Sequence, residues 1–305
     1  MISFRYHLVS IVAIFLALAL GIVVGTTALN GPITKDLRNQ VNDLKKQRDG
    51  LTTQVKALQG QVDDASQFAS TYGSQLVAKT LTGQSVIVVS MPGTSSAMQD
   101  GISKQISAAG GKIGGQVTLT KDYLDPRRGS GISSLATGPA HPIAWTAPET
   151  SDAGQLGGSL LAYVLLGKGQ QTDLTQVLGG FAELHMVTVA GGSVTPSTSV
   201  VVLGTGSLPA KDYGGAAELA LVGALAHGGA KVVVAGDVAS AKAGGLVALV
   251  RDSATTRSGV SSVDDANSAF GQVSSVLALS SAMKGQQGHY GTEQGADALF
   301  PAPAK

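Results

Sequence analysis

The side chains with the potential for chemistry are few and widely spaced. The five histidines, His7, His141, His185, His227 and His289, include no H-x-x-x-H pair. His185-Met186 is the sole His/Met neighbour pair, and a soft ion such as Cu(I) takes such ligands. Neighbouring residues on a strand point to opposite faces, however, so a core or surface role is the better reading. Gly204-Thr205-Gly206 follows a strand-like run, as a dinucleotide-binding loop does, but Pro209 stands where the third glycine belongs and the next helix starts late. The chain contains neither a G-x-S-x-G elbow nor a G-x-x-x-x-G-K loop. Asp237, just past a strand end after Gly236, is the acidic residue best placed for a cleft at a carboxyl edge. Asp264-Asp265 is expected to cap the following helix rather than to form a carboxylate dyad. Cysteine is absent, which excludes disulfides, thiolate metal sites and cysteine nucleophiles. No catalytic, cofactor or metal constellation emerges, and the expectation is a protein that is not an enzyme and carries no cofactor.

The elements that would position these residues begin at residue 85. Ser85–Ser90 is a short β-branched run ending at Met91-Pro92-Gly93, too uniform for a half-exposed strand. Ser95 or Ser96 can cap a helix to about Ala109, and Gly110-Gly111 closes it before a strand over Lys112–Thr120. The pattern returns with Val200–Leu203, a helix from Tyr213 to Ala226, and a strand over Lys231–Ala235. Further helices fit 153–166, 173–180, 241–251 and 266–284. Alternating buried strands and helices predict an α/β fold with a mostly parallel sheet. Leu124–Glu149, with Arg127, Arg128 and the single Trp145, reads as a long surface loop.

Ahead of this domain stand two devices placed end to end. Leu8–Leu29 is an apolar run without a charged side chain, and at ~1.5 Å per residue it reaches about 33 Å, the thickness of a bilayer's hydrocarbon core. A cleaved signal, using Thr26 and Ala28, would have a shorter apolar core; a retained transmembrane anchor is the better reading. Ala13, Ala17, Gly21 and Gly25 recur at every fourth position, the small-residue face along which two membrane helices approach. A heptad seam then runs from Leu37 to Leu76. Its a positions are Val41, Arg48, Val55 and Val62, and its d positions are Leu37, Leu44, Leu51 and Leu58. β-branched residues at a with Leu at d favour a parallel two-stranded coiled coil, and a lone polar Arg48 fixes its register. Gln40, Gln47, Gln54 and Gln61 occupy the g positions, so charge selects no distinct partner and a homodimer is the simplest reading. Packing of the same face on the chain's own domain is the alternative. The expected organisation is a membrane anchor over 1–30, a stalk over 31–80, an α/β domain over 81–284 and a Gly/Pro-rich, partly ordered tail over 285–305.

A net charge of +1 gives no electrostatic reason to expect nucleic acid; the expected partners are the bilayer and a second copy. Orientation stays open on the residues alone. Lys35, Arg38, Lys45, Lys46 and Arg48 follow the apolar run, whereas Arg5 and His7 precede it, yet the positive-inside rule weakens before a long domain.

Met1-Ile2-Ser3-Phe4-Arg5-Tyr6-His7, the block Phe15–Gly25, the segment Val260–Ala266, the stretch Gly271–Leu279 and Tyr290-Gly291 together resemble the mycobacterial copper transporter B (MctB) family of actinobacteria. The resemblance spans essentially the whole chain. It implies an envelope protein anchored in the cytoplasmic membrane with its C-terminal domain outside, with the outer membrane as the other location. It also implies one of two roles. One is that of the corynebacterial SteB type, partnering a SteA-like membrane protein in envelope assembly and cell separation. The other is copper export and homeostasis through a pore, with the copper ion implied by the resemblance alone. A β-barrel pore needs many alternating segments of about ten residues, which this chain lacks.

Overall fold

The computed structural model describes residues 4–139, 141–209 and 212–302. Met1–Ser3 of the expected anchor and 303–305 of the expected tail lie outside the described residues, as do the side chains of 27–34, Ala28 among them. The chain divides into two compact units, Met1–Asp64 and Ala65–Lys305.

Helix α1 runs Phe4–Val77; its residues up to Asp64 fall in the first unit and the remainder in the second. Its segment Phe4–Thr26 is 23 residues long and apolar enough to cross a membrane, because every residue from Leu8 onward is uncharged and the helix satisfies its own backbone polar groups. Beyond it, the heptad residues from Leu37 to Val62 lie along one helix with their side chains exposed.

The second unit is a seven-stranded sheet in the order β3-β2-β1-β4-β5-β6-β7. The strands are β1 Ser85–Ser90, β2 Lys112–Leu119, β3 Val187–Ala190, β4 Ser199–Gly204, β5 Lys231–Gly236, β6 Val260–Val263 and β7 His289–Tyr290. Every pairing is parallel except β2 with β3. The β-branched runs behave as expected of strands covered on both faces. Val200, Val202, Val232 and Val234 enter one core, whereas Val201, Leu203, Val233 and Ala235 enter the other. Each such Val or Leu side chain contributes about 1.5–3 kcal/mol on burial, set against the entropy of ordering the chain.

Helices α2 Ser96–Ala108 and α9 Ala269–Met283 belong to the second core, together with the end of α1. The first core takes α3 Gly129–Thr137, α4 Ala153–Leu165, α5 Gln171–Glu183, α6 Tyr213–His227 and α7 Leu246–Asp252; α8, Ala254–Arg257, follows α7. Ser95 caps α2 as expected, its hydroxyl accepting from the Met98 N–H. Glycines bring α4 and α6 together. A Cβ on Gly158 would lie 2.9 Å from the Leu221 Cα, and one on Gly154 would lie 3.0 Å from the Ala217 Cα.

The structure differs from the sequence reading in five places. The heptad phase carried to Leu76, but Ala69, Gly73 and Val77 of α1 are buried in the chain's own domain, where a Cβ on Gly73 would stand 2.5 Å from Val273 Cγ2. Within the seam it is Ala69 that turns to the domain, whereas Tyr72 and Leu76 stay exposed. The stretch expected to be a surface loop carries α3, and Trp145 is buried with its indole N–H donating to Ser159 Oγ at 3.3 Å. His185 is not in a strand; it sits in a left-handed turn (φ 58°), exposed, while Met186 beside it is buried. Residues 289–290 of the expected tail form β7. Ser268, not Asp264-Asp265, caps α9, accepting from the Gly271 N–H at 3.0 Å.

A candidate site at the carboxyl edge of the sheet

In the sheet order, β1 is flanked by β2 and β4, so the chain reverses direction across the sheet between β1 and β4. The loops that leave the carboxyl ends of two such strands diverge to opposite faces and open a crevice, the usual ligand position in this class of fold. A cavity of about 320 Å³ lies there and is near the small end of ligand sites. Leu124, Leu208 and Leu246 form its apolar walls, and Thr205, Asp212 and Glu218 are among its polar lining. Gly244 makes the crossing of two of these loops feasible. Its φ is +86°, its carbonyl accepts from the Leu208 N–H, and a Cβ there would strike the Leu208 carbonyl oxygen.

Asp237 reaches this edge, as its position past β5 foretold, but it is engaged. Its carboxylate accepts from the Thr205 hydroxyl at 2.6 Å, from the Gly206 N–H at 3.1 Å and from the Ser240 N–H at 2.8 Å. The Gly204-Thr205-Gly206 loop thus has its donors turned onto an internal carboxylate, where a dinucleotide loop would offer them to phosphate. Asp212 likewise caps α6 by accepting from the Gly214 N–H at 2.8 Å.

Glu218 was not singled out by sequence reasoning. It lies on α6, is 8% exposed, and makes no hydrogen bond or ion pair with the described residues. Burial, reinforced by the nearby Asp212 charge, pushes its carboxyl up to about 7. The available signal was a lone acid within Tyr213–His227, a helix otherwise made of Gly, Ala, Leu, Val and its end residues.

A second polar cluster holds the carboxy-terminal segment. Arg251 and Asp264 form a buried ion pair at 2.9 Å, with side chains 1% and 0% exposed. The guanidinium also donates to Ser262 Oγ and to the carbonyls of Tyr290 and Gln294. Asp264 accepts from the Thr292 and Glu293 N–H groups, both at 3.0 Å. His289 completes the chain of bonds. The Ser262 hydroxyl donates to its Nδ1, and its Nε2–H donates to the Arg257 carbonyl. Burial holds the imidazole below its ordinary range, so the neutral form suits this arrangement. The cluster is saturated from within and is structural.

The residues expected to pair chains lie in the first unit. Ala13, Ala17 and Gly21 are exposed on α1 and Gly25 is half-buried, with open space around both glycine Cα atoms. Leu37, Val41, Leu44, Leu51, Val55, Leu58 and Val62 are exposed along the same helix. Arg48 at its a position is turned to the neighbouring Asp49, at 2.6 Å. Among the described residues, no group of three or more His, Asp or Glu side chains is assembled to hold a metal ion.

An apolar amino-terminal helix joined to a doubly wound, mostly parallel α/β domain defines a membrane-anchored α/β protein. Residues 1–301 match the profile of a family described as copper transport outer membrane protein, MctB. The chain belongs to the MctB family. It is 30% identical over 307 residues to the copper transporter MctB of Mycobacterium tuberculosis, a match covering 97% of this chain and 98% of the relative. The copper transporter MctB of Mycobacterium leprae is 28% identical over 313 residues, covering 98% and 99%.

Proposed function

We propose that two copies of this chain pair in parallel through α1 and hold two α/β domains outside the cytoplasm. There they are presented to a SteA-like membrane partner in envelope assembly and cell separation. The observation that carries this reading is the row Leu37, Val41, Leu44, Leu51, Val55, Leu58 and Val62, each 56–64% exposed on a single helix. An isolated helix in water gains little from propensity alone and is stabilised mainly by burying its apolar face. A second copy offers the same face in the same register, and Val at a with Leu at d suits two parallel strands. Below it, Ala13, Ala17, Gly21 and Gly25 continue the pairing within the bilayer. The domain acts as a binding module rather than as an enzyme.

The name shared by relatives over nearly the whole chain favours a second reading, copper transport in an envelope of the mycobacterial type. With one helix among the described residues long and apolar enough to cross a membrane, a conducting path on this reading needs an oligomer, and the small-residue row suits dry helix packing better than a wet lumen. One comparison separates the two readings. On the presenter reading, deleting residues 37–64, which leaves the buried end of α1 in place, abolishes recovery of a membrane partner from native membranes and delays cell separation, with copper content unchanged. On the transport reading, deleting the gene raises cellular copper and the purified protein conducts ions in planar bilayers.

A further inference from the structure

Three features of the carboxyl-edge crevice bear on what it can hold. First, the loop donors at its floor are already used. The Thr205 hydroxyl, the Gly206 N–H and the Ser240 N–H all face Asp237, and the first turn of α6 is capped by Asp212. An anion entering here would find these donors committed to carboxylates and two acidic side chains in the lining, against the single cation of Lys121 at the mouth. Second, Glu218 is more than nine-tenths buried on the wall, with no hydrogen-bond partner among the described residues. A carboxyl so placed loses most of its hydration without gaining a protein partner, and it lines the cavity, where a bound group could pair with it. The charged cluster around Arg251 and Asp264 shows that this domain saturates its buried ions elsewhere. Third, the remaining walls are apolar, through Leu124, Leu208 and Leu246, and Lys121 stands exposed at the mouth.

We infer that the crevice between the carboxyl ends of β1 and β4 binds a small organic cation, a protonated amine or guanidinium on a short apolar body, with Glu218 as its counter-ion. The cation supplies the partner that Glu218 lacks, and a charge-assisted bond formed away from water is stronger than a neutral one. The leucine walls take the apolar body. A cavity of about 320 Å³ limits the ligand to a small molecule or the end of one. This inference does not depend on how the stalk pairs.

The test uses the full chain in detergent or nanodiscs at pH 8. The probes are n-butylguanidinium, n-butylammonium, n-butanol and n-butyrate, followed by the side-chain carboxyl resonance of ¹³C-labelled Glu218 and by saturation-transfer NMR. The expected result is saturable binding of one or both cations with a shift of the Glu218 resonance, at least ten-fold tighter than butanol or butyrate. Glu218→Gln should weaken cation binding at least ten-fold while the protein keeps its wild-type fold by circular dichroism. Glu183→Gln serves as a second variant, since Glu183 is an exposed acid on α5 outside the lining of the crevice, and it should leave cation affinity within three-fold. Equal binding of cation and alcohol, preference for butyrate, unchanged cation affinity in Glu218→Gln, or no binding of either cation at 50 millimolar or below (about the weakest affinity of interest for such fragments) would each overturn the inference.

Discussion

Replacing Asp264 by Asn removes the charge from a buried pair and leaves the geometry almost unchanged. The Arg251 guanidinium, 1% exposed, would keep its bonds to Ser262, Tyr290 and Gln294 but would lose its counter-ion. One of the two N–H groups that the carboxylate now accepts, from Thr292 and Glu293, would meet an amide NH₂ in place of an oxygen. Removing one partner of a buried pair costs about 3–5 kcal/mol, because the other charge stays buried and uncompensated. For a domain of this size about 2–4 °C of midpoint is lost per kcal/mol, so the expected fall is roughly 6–20 °C. Thermal unfolding can be followed through the fluorescence of Trp145, the single tryptophan and buried in the same unit. Arg251→Met should cost a comparable amount. The double variant should be less destabilised than the two losses added together, since it leaves no unpaired charge. A midpoint within about 2 °C of wild type for Asp264→Asn, the lower edge of what one kcal/mol would give, or strict additivity in the double variant, would refute the reasoning.

Other consequences follow from packing and titration. Gly158→Val places methyl groups where a Cβ alone would already be 2.9 Å from the Leu221 backbone; pushing α4 from α6 should cost about 1–3 kcal/mol, read as a lowered urea midpoint. Glu218 is raised from 4.5 to about 7 in the folded protein, so the fold retains a proton that the unfolded chain releases. The stability this contributes is present below pH 4.5 and is lost as pH rises through 7. Glu218→Gln should therefore stabilise the protein by up to about 3 kcal/mol at pH 8 and have little effect at pH 4, which paired melts at the two pH values would show. His289 has the opposite dependence. Burial holds its folded value below 6.5, so its contribution is present above pH 6.5 and fades as pH falls beneath it. His289→Gln should flatten the acid limb of the stability profile.

Strand and helix alternation was legible because Val86–Val89, Val200–Leu203 and Val232–Ala235 are uniform β-branched or apolar runs, as strands with both faces covered must be. Strand β6 was not legible, since Ser261 and Ser262 interrupt its apolar pattern; both are fully buried. Strand β7, two residues long, has too little sequence to carry a period. Both are held by the cluster around Arg251, whose guanidinium donates to Ser262 in β6 and to the Tyr290 carbonyl in β7, residues later in the chain that local spacing does not connect to it. Its carboxylate lies within Val260–Ala266, and its guanidinium reaches the Tyr290 carbonyl, so two of the segments that carry the family resemblance meet at this pair. Asp237 could be placed at the carboxyl edge from its position after β5, but its partners Thr205 and Gly206 lie about thirty residues earlier, a separation that local spacing does not report. Glu218 escaped notice for a related reason. A single acid in a helix looks like a solvated residue until the neighbouring loops cover it.

The central claim is that the exposed apolar row of α1 pairs with a second copy in parallel, and the absence of cysteine permits a direct measurement. Single cysteines are introduced into the full chain in nanodiscs at two d positions, Leu44 and Leu51, and at two outward f positions, Lys46 and Thr53. Parallel pairing predicts that Leu44→Cys and Leu51→Cys oxidise rapidly and almost completely to disulfide-linked dimers, while Lys46→Cys and Thr53→Cys stay largely monomeric under the same conditions. Equal cross-linking at d and f positions, or monomers throughout, would contradict it.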